Sequence, residues 1–110
     1  MESTRLKKVE RLLQKELSTY FQLHLAVYGG RLVTVTAVRL SPDLSIAKTY
    51  LSIFPNQEVE KILALIENDG KKIKFEIGKI TRNQMRKIPD FRFYIDDSLD
   101  HAQRIDDLLK

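Results

Sequence analysis

The runs RLVTVTAVRL (residues 31–40) and IAKTYLSIF (46–54) restrict the fold of this chain more than any other feature. Both are dense in residues that favour extended backbone, the first in Val and Thr, and both predict strands. Only SPDLS (41–45) separates them, with Pro42 and Asp43 where a tight turn wants them. A connection this short joins antiparallel strands, so the two form a hairpin. Pro55 ends the second strand.

On the N-terminal side, Leu6, Val9, Leu13, Leu17 and Tyr20 recur at spacings of three and four and predict a helix with one apolar stripe. Ser3 or Thr4 is placed to cap it. The pair Gly29-Gly30 in YGGR then breaks the chain. After the hairpin, Asn56 is an N-cap for a helix whose stripe is Val59, Ile62, Leu63 and Ile66. Asn68-Asp69-Gly70 interrupts that helix, because Asn and Gly tolerate the left-handed conformation that ends helices. A helical pattern resumes with Ile73, Ile77, Ile80 and Gln84 on one side and continues towards Pro89, which forbids it further. Phe91, Phe93 and Ile95 then alternate with Arg92 and Tyr94, a third strand with one buried face. Asp97 or Ser98 caps a short closing helix with Leu99, Ala102, Ile105 and Leu109 inward. A three-stranded sheet covered by helices buries all these stripes, so the expected class is α+β, in one domain over residues 1–110.

Composition narrows function mainly by exclusion. No apolar run approaches the roughly 20 residues that cross a bilayer, and the mixed-charge start lacks the core of a signal peptide. A cytoplasmic protein without membrane contact is expected. The absence of cysteine removes disulfides, thiol nucleophiles and thiolate metal sites. The formal net charge of +4 favours an anionic partner but only its distribution can identify one.

That distribution is uneven. Lys71, Lys72, Lys74, Lys79, Arg82, Arg86 and Lys87 are opposed only by Glu76. On a helix Lys79, Arg82 and Arg86 share one direction, and Lys71 and Lys74 a neighbouring face. Such a stripe attracts a phosphate backbone, with affinity that falls steeply with salt; the alternative is a solvated helix whose lysines only confer solubility. Arg5, Lys8 and Arg11 form a second candidate patch.

Acidic residues follow: Asp96, Asp97, Asp100, Asp106 and Asp107. Capping and dipole complementation at a helix start account for them better than a metal site, which needs oxygens converging on one point. His24 and His101 have no partner motif that would make them catalytic, and Gly29, Gly30, Gly70 and Gly78 make neither a P-loop nor a dinucleotide fingerprint. Phe91 and Phe93 read as core; Tyr94 is open between core and base stacking.

Three stretches, TRLKKVERLLQKEL, VTAVRLSPDLSIAKTYLSIF and IPDFRFYIDDSLDHAQRIDDLL, resemble the ribosome-binding factor A family in the same order and over nearly the whole chain. The last is the most specific, joining a proline, an aromatic strand, paired aspartates and a short helix. Gly78-Lys79 and the basic residues up to Pro89 also fit. The resemblance implies a KH-like domain of bacterial (type II) topology, α-β-β-α-α-β plus a short C-terminal helix. It implies a non-enzymatic assembly factor, without cofactor or metal, that binds the immature small ribosomal subunit and its rRNA. It further implies a role in late processing of the rRNA 5′ region and in growth in the cold. Family members carry Ala-x-Gly between the central helices; here Asn68-Asp69-Gly70 keeps the glycine and not the alanine. A carboxylate at Asp69 repels phosphate, which leaves backbone contacts to the lysines and arginines beyond it. A monomer is expected. The competing readings are a general KH-like RNA chaperone, a protein–protein adaptor and a metal-dependent hydrolase using the aspartates.

Overall fold

The hairpin forms as its sequence predicts. In the computed structural model, which describes residues 2–96, β1 (Leu32–Leu40) and β2 (Ile46–Phe54) pair antiparallel, and β3 (Asp90–Ile95) adds to β2 in parallel. The sheet order is β1-β2-β3. The helices are α1 (Glu2–Leu23), α2 (Val59–Asn68) and α3 (Gly70–Thr81), with one 3-10 turn at Leu25–Tyr28. This is the expected α+β, KH-like order. The expected closing helix and Asp97, Asp100, His101, Asp106 and Asp107 lie outside the described residues.

One face of the sheet is buried under the helices. Val33, Val35, Val38, Leu40, Ala47, Leu51, Ile53, Phe91 and Phe93 point into the core, where they meet Leu13, Leu17, Tyr20 and Phe21 of α1 and Ile62, Ile66, Ile73 and Ile77 of α2 and α3. Strand alternation puts the polar set on the opposite face. The pairing of β1 and β2 slips at a bulge between Val35 and Ala37. There, where the ladder is interrupted, Gln14 of α1 donates to the carbonyl oxygens of Val35 (3.0 Å) and Thr36 (3.4 Å). Glu10 accepts from the backbone N–H of Leu40 at 2.8 Å, so polar residues of α1 as well as its apolar stripe hold the edge strand.

In the hairpin turn Asp43 accepts from the hydroxyls of Ser41 (2.8 Å) and Ser45 (2.7 Å) and from the N–H of Ser45. These bonds hold its carboxyl at about 2, the Ser45 hydroxyl contributing most. Leu44 takes a φ of 63° that side-chain-bearing residues seldom adopt, and packs against the core.

Several boundaries differ from the sequence reading. Helix α1 begins at Glu2, so Ser3 and Thr4 lie inside it and not at the capping position ahead of it. Asn56 does not cap α2, which starts at Val59 behind Glu58 at φ 56°. The junction at Asn68-Asp69-Gly70 is not left-handed: Asp69 has φ −89° and ψ 8° and serves alone as the end of α2 and the beginning of α3. Left-handed glycines occur instead at Gly29 (φ 71°) and Gly30 (φ 70°), after the 3-10 turn. Helix α3 ends at Thr81, well short of Pro89. Its buried row is Ile73, Ile77 and Thr81, whereas Ile80 is 53% exposed and Gln84 is on the surface. A parallel β3 requires a crossover back to the start of β2; α2 and α3 make most of it and residues 82–89 its last leg, with Met85 and Pro89 buried on the way.

Candidate nucleic-acid interface

The surface of α3 opposite its buried row holds the basic cluster. Phe75 lies two residues from both Ile73 and Ile77, so helical geometry turns it away from the core; it is 65% exposed. Around it a groove of about 470 Å³ is lined by Lys71, Lys74, Phe75, Gly78, Lys79, Arg82 and Ile88. The floor is apolar and the rim cationic. The ammonium of Lys79 sits 5.0 Å from the Phe75 ring centre and 3.4 Å from a Glu76 carboxylate oxygen. Gly78 keeps the floor open, since a Cβ there would come within 3.3 Å of Ile88.

A second cleft, of about 390 Å³, lies between the crossover and the start of α1. Arg82, Arg86 and Lys87 border it from one side, Arg5 and Val9 from the other, with Leu44 of the hairpin turn. Arg82 borders both concavities and joins them into one cationic surface. Their spacing in the sequence predicts Lys79, Arg82 and Arg86 on one helix. In the structure Arg82 caps α3 and Arg86 belongs to the crossover, so loop and helix share the surface.

The remaining predicted cations go elsewhere. Arg11 borders a notch with Lys7 of α1 and Arg39 of β1, apart from Arg5, so the N-terminal patch divides in two. Lys72 and Lys8 are exposed and border neither the groove nor the cleft. Lys74 is held by Asp90 at 2.7 Å, which in turn keeps the Asp90 carboxyl below the usual carboxylate range. Lys71, Lys72, Arg82, Arg86 and Lys87 form no ion pair among the described residues. Phe75 is the functional candidate that apolar periodicity missed. Its signal was present: an aromatic off the buried stripe, between Lys74 and Lys79.

The junction between α2 and α3 is built as a support. The Asp69 carboxylate accepts from the Tyr28 hydroxyl at 3.0 Å, and that hydroxyl lies 3.5 Å from the hydroxyl of Tyr20. Tyr28 is fully buried, and its burial first, then Tyr20 and Asp69, push its pKa far above the ordinary tyrosine range, so it remains a donor. Removing that donor leaves a half-buried carboxylate unsatisfied. Tyr28→Phe is expected to cost about 1–3 kcal/mol, read as a lower thermal midpoint in calorimetry.

The described residues contain no group of three His, Asp or Glu side chains able to hold a metal ion, and no helix long and apolar enough to cross a membrane. The His24 Nδ1–H donates to the Tyr20 carbonyl (2.7 Å), and the ring stacks on that of Tyr20, which ties it to α1.

Residues 5–109 match the family described as Ribosome-binding factor A. The protein of that name from Christiangramia forsetii is 43% identical, over 99% of this chain and 85% of its own length. The one from Cytophaga hutchinsonii is 42% identical, over 99% of this chain and 83% of its own. Among solved structures, the crystal structure of ribosome-binding factor A from Thermus thermophilus superposes with a TM-score of 0.59 and 25% identity, covering 86% of this chain and 96% of that one. A homology model of the Thermus thermophilus factor, fitted into a cryo-EM map of its complex with the 30S subunit, matches at 26% identity and a TM-score of 0.51, over 70% of this chain and 90% of that one.

Proposed function

The chain belongs to the ribosome-binding factor A family, and from that premise we propose that it binds the immature small ribosomal subunit through its rRNA and assists late maturation, including processing of the rRNA 5′ region. It acts in the cytoplasm, as a monomer, by occupancy: it holds or excludes particular rRNA conformations and makes or breaks no covalent bond. Growth in the cold, when misfolded rRNA is slow to rearrange, is where its loss is felt.

One observation carries the assignment of the surface. Lys71, Lys74, Lys79 and Arg82 surround the exposed Phe75, and Arg82 extends that surface to Arg86, Lys87 and Arg5. Cations spread along a concave path neutralise successive phosphates, while an aromatic floor accepts an unstacked base. The Thermus thermophilus relative fitted within a 30S complex supports the same partner here. Asp69 faces Tyr28, so the helix junction is structural and phosphate contacts fall to the residues beyond it.

Co-sedimentation with immature and mature small subunits across a salt series tests this. Affinity for the immature particle should exceed that for the mature one, and should drop on the order of 10²–10³-fold between about 50 and 200 mM salt. Equal affinity for naked RNA would favour a general RNA chaperone, and a flat salt response an adaptor.

A further inference from the structure

The solvent face of the sheet carries a second cationic arrangement on the side away from the helices. Register sets Arg39 of β1 opposite Lys48 of β2, and Lys48 opposite Arg92 of β3. All three are exposed, and adjacent strands hold them about 4.8 Å apart. Like charges directly opposite one another destabilise a sheet. None of the three forms an ion pair among the described residues. Asp90, two residues from Arg92 on the same face, is hydrogen-bonded to Lys74.

Beside this row, two residues further along β2 and β3, the register sets Tyr50 opposite Tyr94. Their rings lie 5.6 Å apart and are tilted by 30°, with Tyr94 42% exposed. Arg92 and Tyr94 border one notch, with Glu67 of α2, at the β3 edge; Arg39 borders the other, with Lys7 and Arg11, at the β1 edge. A cationic row next to an aromatic pair whose outer ring, Tyr94, is exposed matches an unpaired nucleic-acid strand, whose phosphates and bases alternate.

We propose that this outer sheet face is a second RNA-binding surface, taking an unpaired strand with its phosphates on Arg39, Lys48 and Arg92 and a base stacked on Tyr94. It deepens the RNA-binding reading above without depending on the α3 groove. Two surfaces on opposite layers allow the protein to hold two rRNA segments at once.

The test titrates a short unstructured oligoribonucleotide across a salt series against wild type, Arg39→Gln/Lys48→Gln/Arg92→Gln and, for the groove, Lys79→Gln/Arg82→Gln. The sheet variant should bind more weakly, with a salt slope shallower by about 2. Its thermal midpoint should hold or rise, because repulsion has been removed. Tyr94→Leu should lose roughly tenfold in affinity and Tyr94→Phe should retain it. A sheet effect without a groove effect supports this surface and overturns the α3 reading; a groove effect with an unchanged sheet variant does the reverse. Losses on both sides that multiply in a combined variant support two independent surfaces. Undiminished oligonucleotide binding by the sheet triple variant and by Tyr94→Leu overturns the proposal and leaves the row to an acidic protein.

Discussion

Replacing Arg82 and Arg86 together by glutamate is expected to weaken binding to the immature small subunit about 100-fold at moderate salt. Both side chains are exposed, neither forms an ion pair among the described residues, and Arg82 borders both the groove and the cleft. A lost contact between a guanidinium and a phosphate is worth on the order of 1.4 kcal/mol, or tenfold, and reversal adds repulsion in its place. Position 82 follows the last turn of α3, where a carboxylate opposes the helix dipole at a cost of about 0.3–1 kcal/mol. The glutamine pair avoids that cost and should still flatten the salt slope by roughly two contacts. Co-sedimentation reads both effects. Retention of full binding by the glutamate pair, with an unchanged circular dichroism spectrum, would remove this surface from the interface.

Phe21→Ala is expected to produce the largest loss of stability, about 3–5 kcal/mol. The ring is fully buried where three parts of the fold converge. It meets Tyr28 of the 3-10 turn edge-on at 5.7 Å, Phe93 of β3 at 6.4 Å and its neighbour Tyr20 at 5.5 Å. Truncation removes apolar burial and leaves a cavity that rigid neighbours cannot close. A domain of this size holds only about 5–15 kcal/mol in total, so denaturant unfolding should show a strongly lowered midpoint. Phe21→Leu, which keeps most of the volume, should cost under about 1.5 kcal/mol. Similar midpoints for the two variants would mean that the aromatic cluster is looser than its geometry implies. Phe21 lines neither the groove nor the cleft, so the folded fraction of either variant should bind RNA like wild type.

The two substitutions probe different layers of one design. Phe21 and Tyr28 fix α1 and the helix junction against the sheet, and the junction sets the direction in which α3 presents its cations. A stability variant changes how many molecules are competent, whereas a charge variant changes how each one binds. Comparing bound fraction per folded molecule keeps the two effects apart.

Local patterns determined the elements. Alternating β-branched and aromatic residues set β2 and β3 at the residues expected, and stripes at spacings of three and four set the buried faces of α1 and α2. Those signals depend on neighbours within one or two turns, so one sequence suffices to read them. The family, too, was legible, through three stretches in fixed order. Where α3 stops was not, because Pro89 forbids helix only at its own position, while the last leg of the crossover that a parallel β3 demands consumes residues 82–89. Nor could periodicity assign Asp69 to Tyr28, or bring Arg5 beside Arg86, or line up Arg39, Lys48 and Arg92 across three strands. Each of these joins residues far apart in the chain. Such neighbours are chosen by how the sheet and helices pack, a property that no window of sequence contains.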